Sequence, residues 1–217
     1  MTPASKQALE RLRDPSTLEW YAIPLLALLF YVYALEIKSA RRTGKWEPIV
    51  AGLTLFGMDF VNETINGWIL VLSQRSALWT APGKTALRTM VGWNLEIMFM
   101  FAIAGVIFFH TLSEDRDAKI LGLPDRWFWA IAYSAFCVAV EWVLNVGGLL
   151  VWEYPFWNRS FAGVWLIFLF GYFHFYVATI LVLGLSTTRK RVVAIASIWS
   201  IAIAMNVVGM GVLGWRY

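Results

Sequence analysis

Four side chains able to trade protons or hydrogen bonds, Asp59, Asn62, Glu63 and Asn66, stand at i, i+3, i+4 and i+7. A helix puts all four on one face. The segment around them, from about Pro48 to Ser73, is otherwise apolar. A carboxylate at the centre of a bilayer costs roughly 2.5–3.5 kcal/mol on insertion scales. The stripe must therefore face other protein or a wet cavity, and acid–base work is the chemistry such a cavity would support.

Similar groups recur in the other apolar segments. Spans long enough to cross a membrane, about 20 residues each, are expected at 19–37, 48–73, 88–111, 126–152, 161–184 and 192–214. Counted along each span, Glu63, Glu96, Glu141, His174 and Asn206 fall at about 12–20 Å from the face that carries both termini, here face A. Asn66, Asn94 and Asn145 fall slightly nearer that face. Polar groups buried at one depth on five helices imply a shared cavity, expected to open towards face A. Glu63 and Glu141 are the leading acid and base, with Asp59, Glu96 and His174 as partners. Asn62, Asn66, Asn94, Asn145 and Asn206 would orient a ligand or water. Trp68, Trp93, Trp142, Tyr133 and Tyr172 lie near the polar level, where rings would wall an apolar substrate and steady a cation.

The fold class follows from composition. The 217 residues are 59% hydrophobic and 15% charged, against about 25% charged in soluble domains. The expectation is an all-α, polytopic membrane protein with six transmembrane helices at 19–217, preceded by a polar segment at 1–18. That segment has Lys6, Arg11 and Arg13 beside Leu9 and Leu12 and reads as an interfacial helix or a loose tail, not as a signal peptide. The net charge of +4 resides largely in short loops, where it sets topology and does not call for nucleic acid. Ten basic residues on the opposite face against eight on face A lean towards external termini. A multi-pass place in a bacterial plasma membrane is expected. The oligomeric state is left open.

Other readings of the same residues stand beside this one. The buried carboxyls could simply glue helices together, with the chain a structural subunit of a larger complex. They could equally form the proton path of a transporter or channel. A metal site is not expected: carboxylate-bridged di-iron bundles use Glu-x-x-His pairs, none occurs here, and the chain has two histidines. No cofactor is expected. Cys137 is alone and excludes an internal disulfide. An offset of 78 residues relates Glu63 to Glu141, Glu96 to His174 and Trp79 to Trp157, which suggests an internal two-helix repeat.

A carboxyl moved from water into an apolar, aromatic pocket holds its proton more tightly, which suits proton-initiated chemistry on a lipid-soluble alkene or epoxide. The segment Glu141-Trp142-Val143-Leu144-Asn145-Val146-Gly147-Gly148, with Trp152-Glu153-Tyr154-Pro155-Phe156-Trp157-Asn158 and Gly163-Val164-Trp165, loosely resembles the Glu…Gly…Trp…Tyr-x-x-Pro…Asn…Gly-Trp pattern of membrane-embedded carotenoid hydratases. Tyr154 and Pro155 are adjacent here, so the spacing departs. Asn94-Leu95-Glu96 is distantly similar to the Asn…Trp-Glu helix of integral-membrane terpene cyclases, without the Trp before the Glu. Each resemblance covers under a third of the chain. Both imply a lipophilic isoprenoid substrate that buried carboxyls would protonate for cyclisation or hydration; the partners expected are that small molecule and, around the chain, membrane lipids.

Overall fold

The computed structural model describes residues 1–217. It is mainly helical, in the order α1 (Pro3–Glu10), α2 (Ala22–Thr43), α3 (Glu47–Ser73), α4 (Leu95–Thr111), α5 (Asp125–Val146), α6 (Phe161–Ile167), α7 (His174–Leu183) and α8 (Thr188–Asn206). Residues Phe168–Phe173 join α6 to α7 as a π-helical stretch, and Val207–Val212 continue α8 in the same way. Four of these helices are long and apolar enough to cross a membrane: Ala22–Thr43, Asp125–Val146, Phe161–Leu183 and Thr188–Val212. The other two long helices, α3 and α4, fall short of that mark. α3 has 27 residues but is interrupted by its polar stripe, and α4 has 17.

α3 is the hub, packed by α4, α8, α7 and α2. It crosses α4 where two glycines meet: a Cβ on Gly105 would lie 2.7 Å from the Cα of Gly52. Small residues at a crossing allow the close backbone approach on which helix association in lipid depends. Local signals explain several helix ends. Gly44 closes α2 in the left-handed region at φ 76°, as C-terminal glycines commonly do. Asn94, Ser160 and Thr187 cap α4, α6 and α8 by accepting from the backbone N–H three residues on, the bond that side-chain oxygens make at N-caps.

The expected spans need correction on face A. The helix foreseen from residue 88 begins at Leu95, because Arg88–Asn94 form a hairpin of β2 (Arg88–Met90) and β3 (Trp93–Asn94). The span foreseen up to 152 stops at Val146, where Gly147 and Gly148 turn the chain into β6 (Val151–Trp152). β6 pairs with β1 (Trp79–Thr80), joining the loop after α3 to the loop after α5. On the other face β4 (Lys119–Ile120) pairs with β5 (Leu123–Pro124). An all-helical description thus omits three short ribbons.

α1 is a docked element. Ser5 and Ala8 are fully buried, and Ala8 packs with Ala77, Met90 and Val91 of the face-A loops. The Arg88 side chain, 1% exposed, ties α1 to those loops by donating to the carbonyls of Ala8, Ala81 and Gly83. Burial lowers the pKa of that guanidinium from its ordinary value, but arginine keeps its charge in proteins.

Candidate functional site

The helical stripe of α3 does turn inward. Asp59 and Glu63 are buried, at 3% and 4% exposure, and Glu141 of α5 joins them at 5%. All three line a cavity of about 210 Å³. A single water needs roughly 10–15 Å³ on this kind of measure, so the space far exceeds a structural-water site. Asn62, Glu96 and Tyr172 also line it, with a largely apolar remainder that includes Ile97, Phe101, Cys137 and Leu144.

One device holds all three carboxyls. Trp93 Nε1 donates to Asp59 Oδ2 at 2.7 Å, Trp79 Nε1 to Glu63 Oε1 at 2.8 Å, and Trp152 Nε1 to Glu141 Oε1 at 2.8 Å. Each indole comes from a face-A loop strand, β3, β1 or β6. An indole N–H donates without bringing a charge, so it orients a carboxyl without locking it into an ion pair. No Lys, Arg or His lines the cavity.

The carboxyls differ in what remains. Glu141 Oε2 accepts from the Tyr172 hydroxyl at 2.7 Å, so both of its oxygens are engaged. Glu63 Oε2 is buried with no protein partner. Room beside it depends on Gly92, where a Cβ would stand 2.6 Å from Glu63 Oε2 and from the Trp79 ring. Tyr172 and Gly171 sit in the π-helical stretch, a winding often found at functional sites. Asn62 Nδ2 donates to the Phe170 carbonyl of that same stretch at 3.3 Å.

Buried side chains lie towards both ends of the cavity. Towards face A, Trp79 and Trp157 stack at 5.6 Å with 28° between their planes, beneath the β1–β6 ribbon. Towards the other face lie buried Leu55, Phe101, Phe108, Phe175 and Tyr176. On the face-A side, where an opening was expected, the loop tryptophans Trp79 and Trp152 turn inward to reach carboxyls.

Several foreseen site residues lie elsewhere. His174 is not a wall of the cavity; its Nδ1 lies 3.2 Å from the Leu169 carbonyl and its ring packs on Phe175. Glu96 lines the cavity, yet its oxygens are taken by the Tyr21 and Thr85 hydroxyls and the Ala86 N–H, which fasten the loop to α4. Asn66 clamps Leu78 and Trp79, Asn94 caps α4, and Asn145 holds Leu150 and Arg159. Asn206 bonds Thr64 and Tyr217, and Trp68 reaches the same Tyr217 hydroxyl. Tyr133 pairs with Thr111, and Trp142 is 40% exposed on the outer side of α5. Trp93 holds Asp59 instead of walling the cavity. Conversely, Trp79, Trp152, Trp157 and Gly92 matter more than their loop positions suggested; the 78-residue offset pointed to Trp79 and Trp157, the hydratase-like pattern included Trp152 and Trp157, and nothing pointed to Gly92. No group of three or more His, Cys, Asp or Glu side chains converges as a metal ion would require.

Helices of this length and apolarity around a buried carboxyl cluster define a multi-pass integral membrane protein. The chain belongs to the family described as "Uncharacterized membrane protein family", which matches residues 2–211. It is similar to an "Uncharacterized protein" of Archaeoglobus fulgidus, 40% identical over 214 residues and covering 99% of each chain. No solved structure matches it. The relative is archaeal, which lends no support to the bacterial membrane expected above.

Proposed function

We propose that this protein is an integral-membrane enzyme performing acid–base chemistry on a lipophilic substrate held in the carboxyl-lined cavity. In this reading α3 and α4 also cross the bilayer, giving six spans. Glu63 delivers a proton through its free Oε2, Asp59 stands one helical turn away to replenish it, and Glu141 accepts a proton or directs water on the opposite wall. The rings of Trp79, Trp157 and Phe101 would steady positive charge developing on carbon. An isoprenoid undergoing cyclisation or hydration fits this set, in agreement with the resemblances in the sequence.

The observation that carries the proposal is the pairing of a partner-free carboxyl oxygen with a largely apolar cavity lined by three buried carboxyls. A proton-coupled transporter needs a polar route across the membrane, and here a layer of Phe101, Phe108, Phe175 and Tyr176 interrupts it. The test is lipid mass spectrometry of a host expressing the wild-type chain, Glu63→Gln or Glu141→Gln. A new or depleted isoprenoid lipid with the wild type alone is expected. Unchanged lipids, together with proton flux in proteoliposomes, would replace the enzyme by the transporter.

A further inference from the structure

Among the residues that line the cavity, three are exposed: Met100 at 44%, Phe136 at 65% and Val140 at 36%. Met100 lies on α4 and the other two on α5. The exposed part of the lining thus lies between α4 and α5, on the side of the bundle, and is framed by apolar side chains. The inner surface gives a second clue. Two buried polar atoms of cavity residues have no protein partner, Glu63 Oε2 and Trp157 Nε1. One wants a donor when ionised and the other always wants an acceptor. A hydroxyl is both at once. An anionic headgroup would meet three carboxyls and no cation, and an ammonium would leave the indole unanswered.

We propose that the cavity loads laterally from the bilayer through the α4–α5 slot, and that it takes the hydroxyl end of a long-chain lipid alcohol. The hydroxyl accepts from Trp157 Nε1 and meets Glu63 Oε2, donating to it when the carboxyl is ionised and accepting from it when it is protonated, while the chain trails out past Met100 and Phe136. This rests on the cavity being a substrate site, but it is tested without catalysis.

Cys137, the single cysteine of the chain and a cavity wall, serves as the reporter. In liposomes, a maleimide carried on an acyl chain should label Cys137 faster than a sulfonated, membrane-impermeant maleimide, and Val140→Trp should slow the lipid-borne reagent. Cetyl alcohol at ten times its dissociation constant should slow labelling about tenfold, whereas palmitate and cetyl phosphate should not. Trp157→Phe removes an N–H that no protein group uses; measured against that variant's own unprotected rate, the alcohol's protection should be lost. Faster labelling by the sulfonated reagent would place the opening in water, and labelling by neither, at a pH where Cys137 of the detergent-opened protein does react, would overturn the slot. Equal protection by palmitate or cetyl phosphate would overturn the hydroxyl. A lipid profile unaffected by Glu63→Gln would count against the enzyme reading and leave these outcomes standing.

Discussion

Two halves of the molecule present a carboxyl to the same cavity, and they present it differently. The α3 half offers Glu63 with one oxygen on an indole and the other free, a second carboxyl one turn away, and a glycine keeping the space open. The α5 half offers Glu141 with both oxygens engaged, one by Trp152 and one by Tyr172. The surroundings differ in the same sense. α3 is enclosed by other helices, whereas α5 leaves Phe136, Trp142, Val143 and Val146 exposed along its outer side. A loaded, crowded wall faces a settled, peripheral one, and the proposed function would use the two unequally: Glu63 would react, and Glu141 would be held in place to receive.

Glu63→Gln is the sharpest way to break that comparison. Loss of a general acid typically costs about 10²–10⁴-fold in rate, read as product lipid formed per unit of protein. Glu141→Gln should cost less activity and more stability, because one of its two donors, Trp152 or Tyr172, would then face an amide N–H. Leaving a buried donor unpaired costs about 1–3 kcal/mol, measured as a drop in detergent unfolding midpoint. If the two variants lose activity equally and stability equally, the halves are equivalent and the division of labour is wrong.

Gly92→Ala comes next. Its Cβ would press on Glu63 Oε2 and the Trp79 ring at 2.6 Å, and overpacking of this kind costs about 1–3 kcal/mol. Because the strain falls on the α3 half, activity should fall with stability. Tyr172→Phe is the matching change on the α5 half. It strips one hydrogen bond from Glu141 and should cost about 1–2 kcal/mol with a smaller loss of product. An unchanged unfolding midpoint for Tyr172→Phe would mean that Glu141 finds another donor.

Much of this arrangement could be read in advance, and the part that could not has a physical reason. The stripe on α3 follows from helical period alone, since burying polar residues at i, i+3, i+4 and i+7 leaves them no alternative to a common face. The approximate helix positions follow from apolar length. The ribbons did not, because strands of two or three residues carry no alternation to detect. Nor did the inward loop tryptophans, because in a membrane sequence Trp ordinarily marks the interface. What turned them was the need of Asp59, Glu63 and Glu141 for donors, and that need is visible only once the loops are folded back over the bundle.

His174 shows the same gap from the other side, and its replacement should have the smallest effect of the set. Counting residues placed it at the depth of the carboxyls, but depth says nothing about rotation around the helix axis. The π-helical stretch immediately before it carries Gly171 and Tyr172 on the cavity wall. His174 follows at the start of α7, where its ring packs on Phe175 and its Nδ1 approaches Leu169 O. His174→Gln should therefore leave product formation within about twofold and stability within about 1 kcal/mol, the range of one modest hydrogen bond. A loss comparable to that of Glu63→Gln would require the α7 face to rotate inward during turnover, and would make the π-helical stretch a moving part of the site instead of a fixed wall.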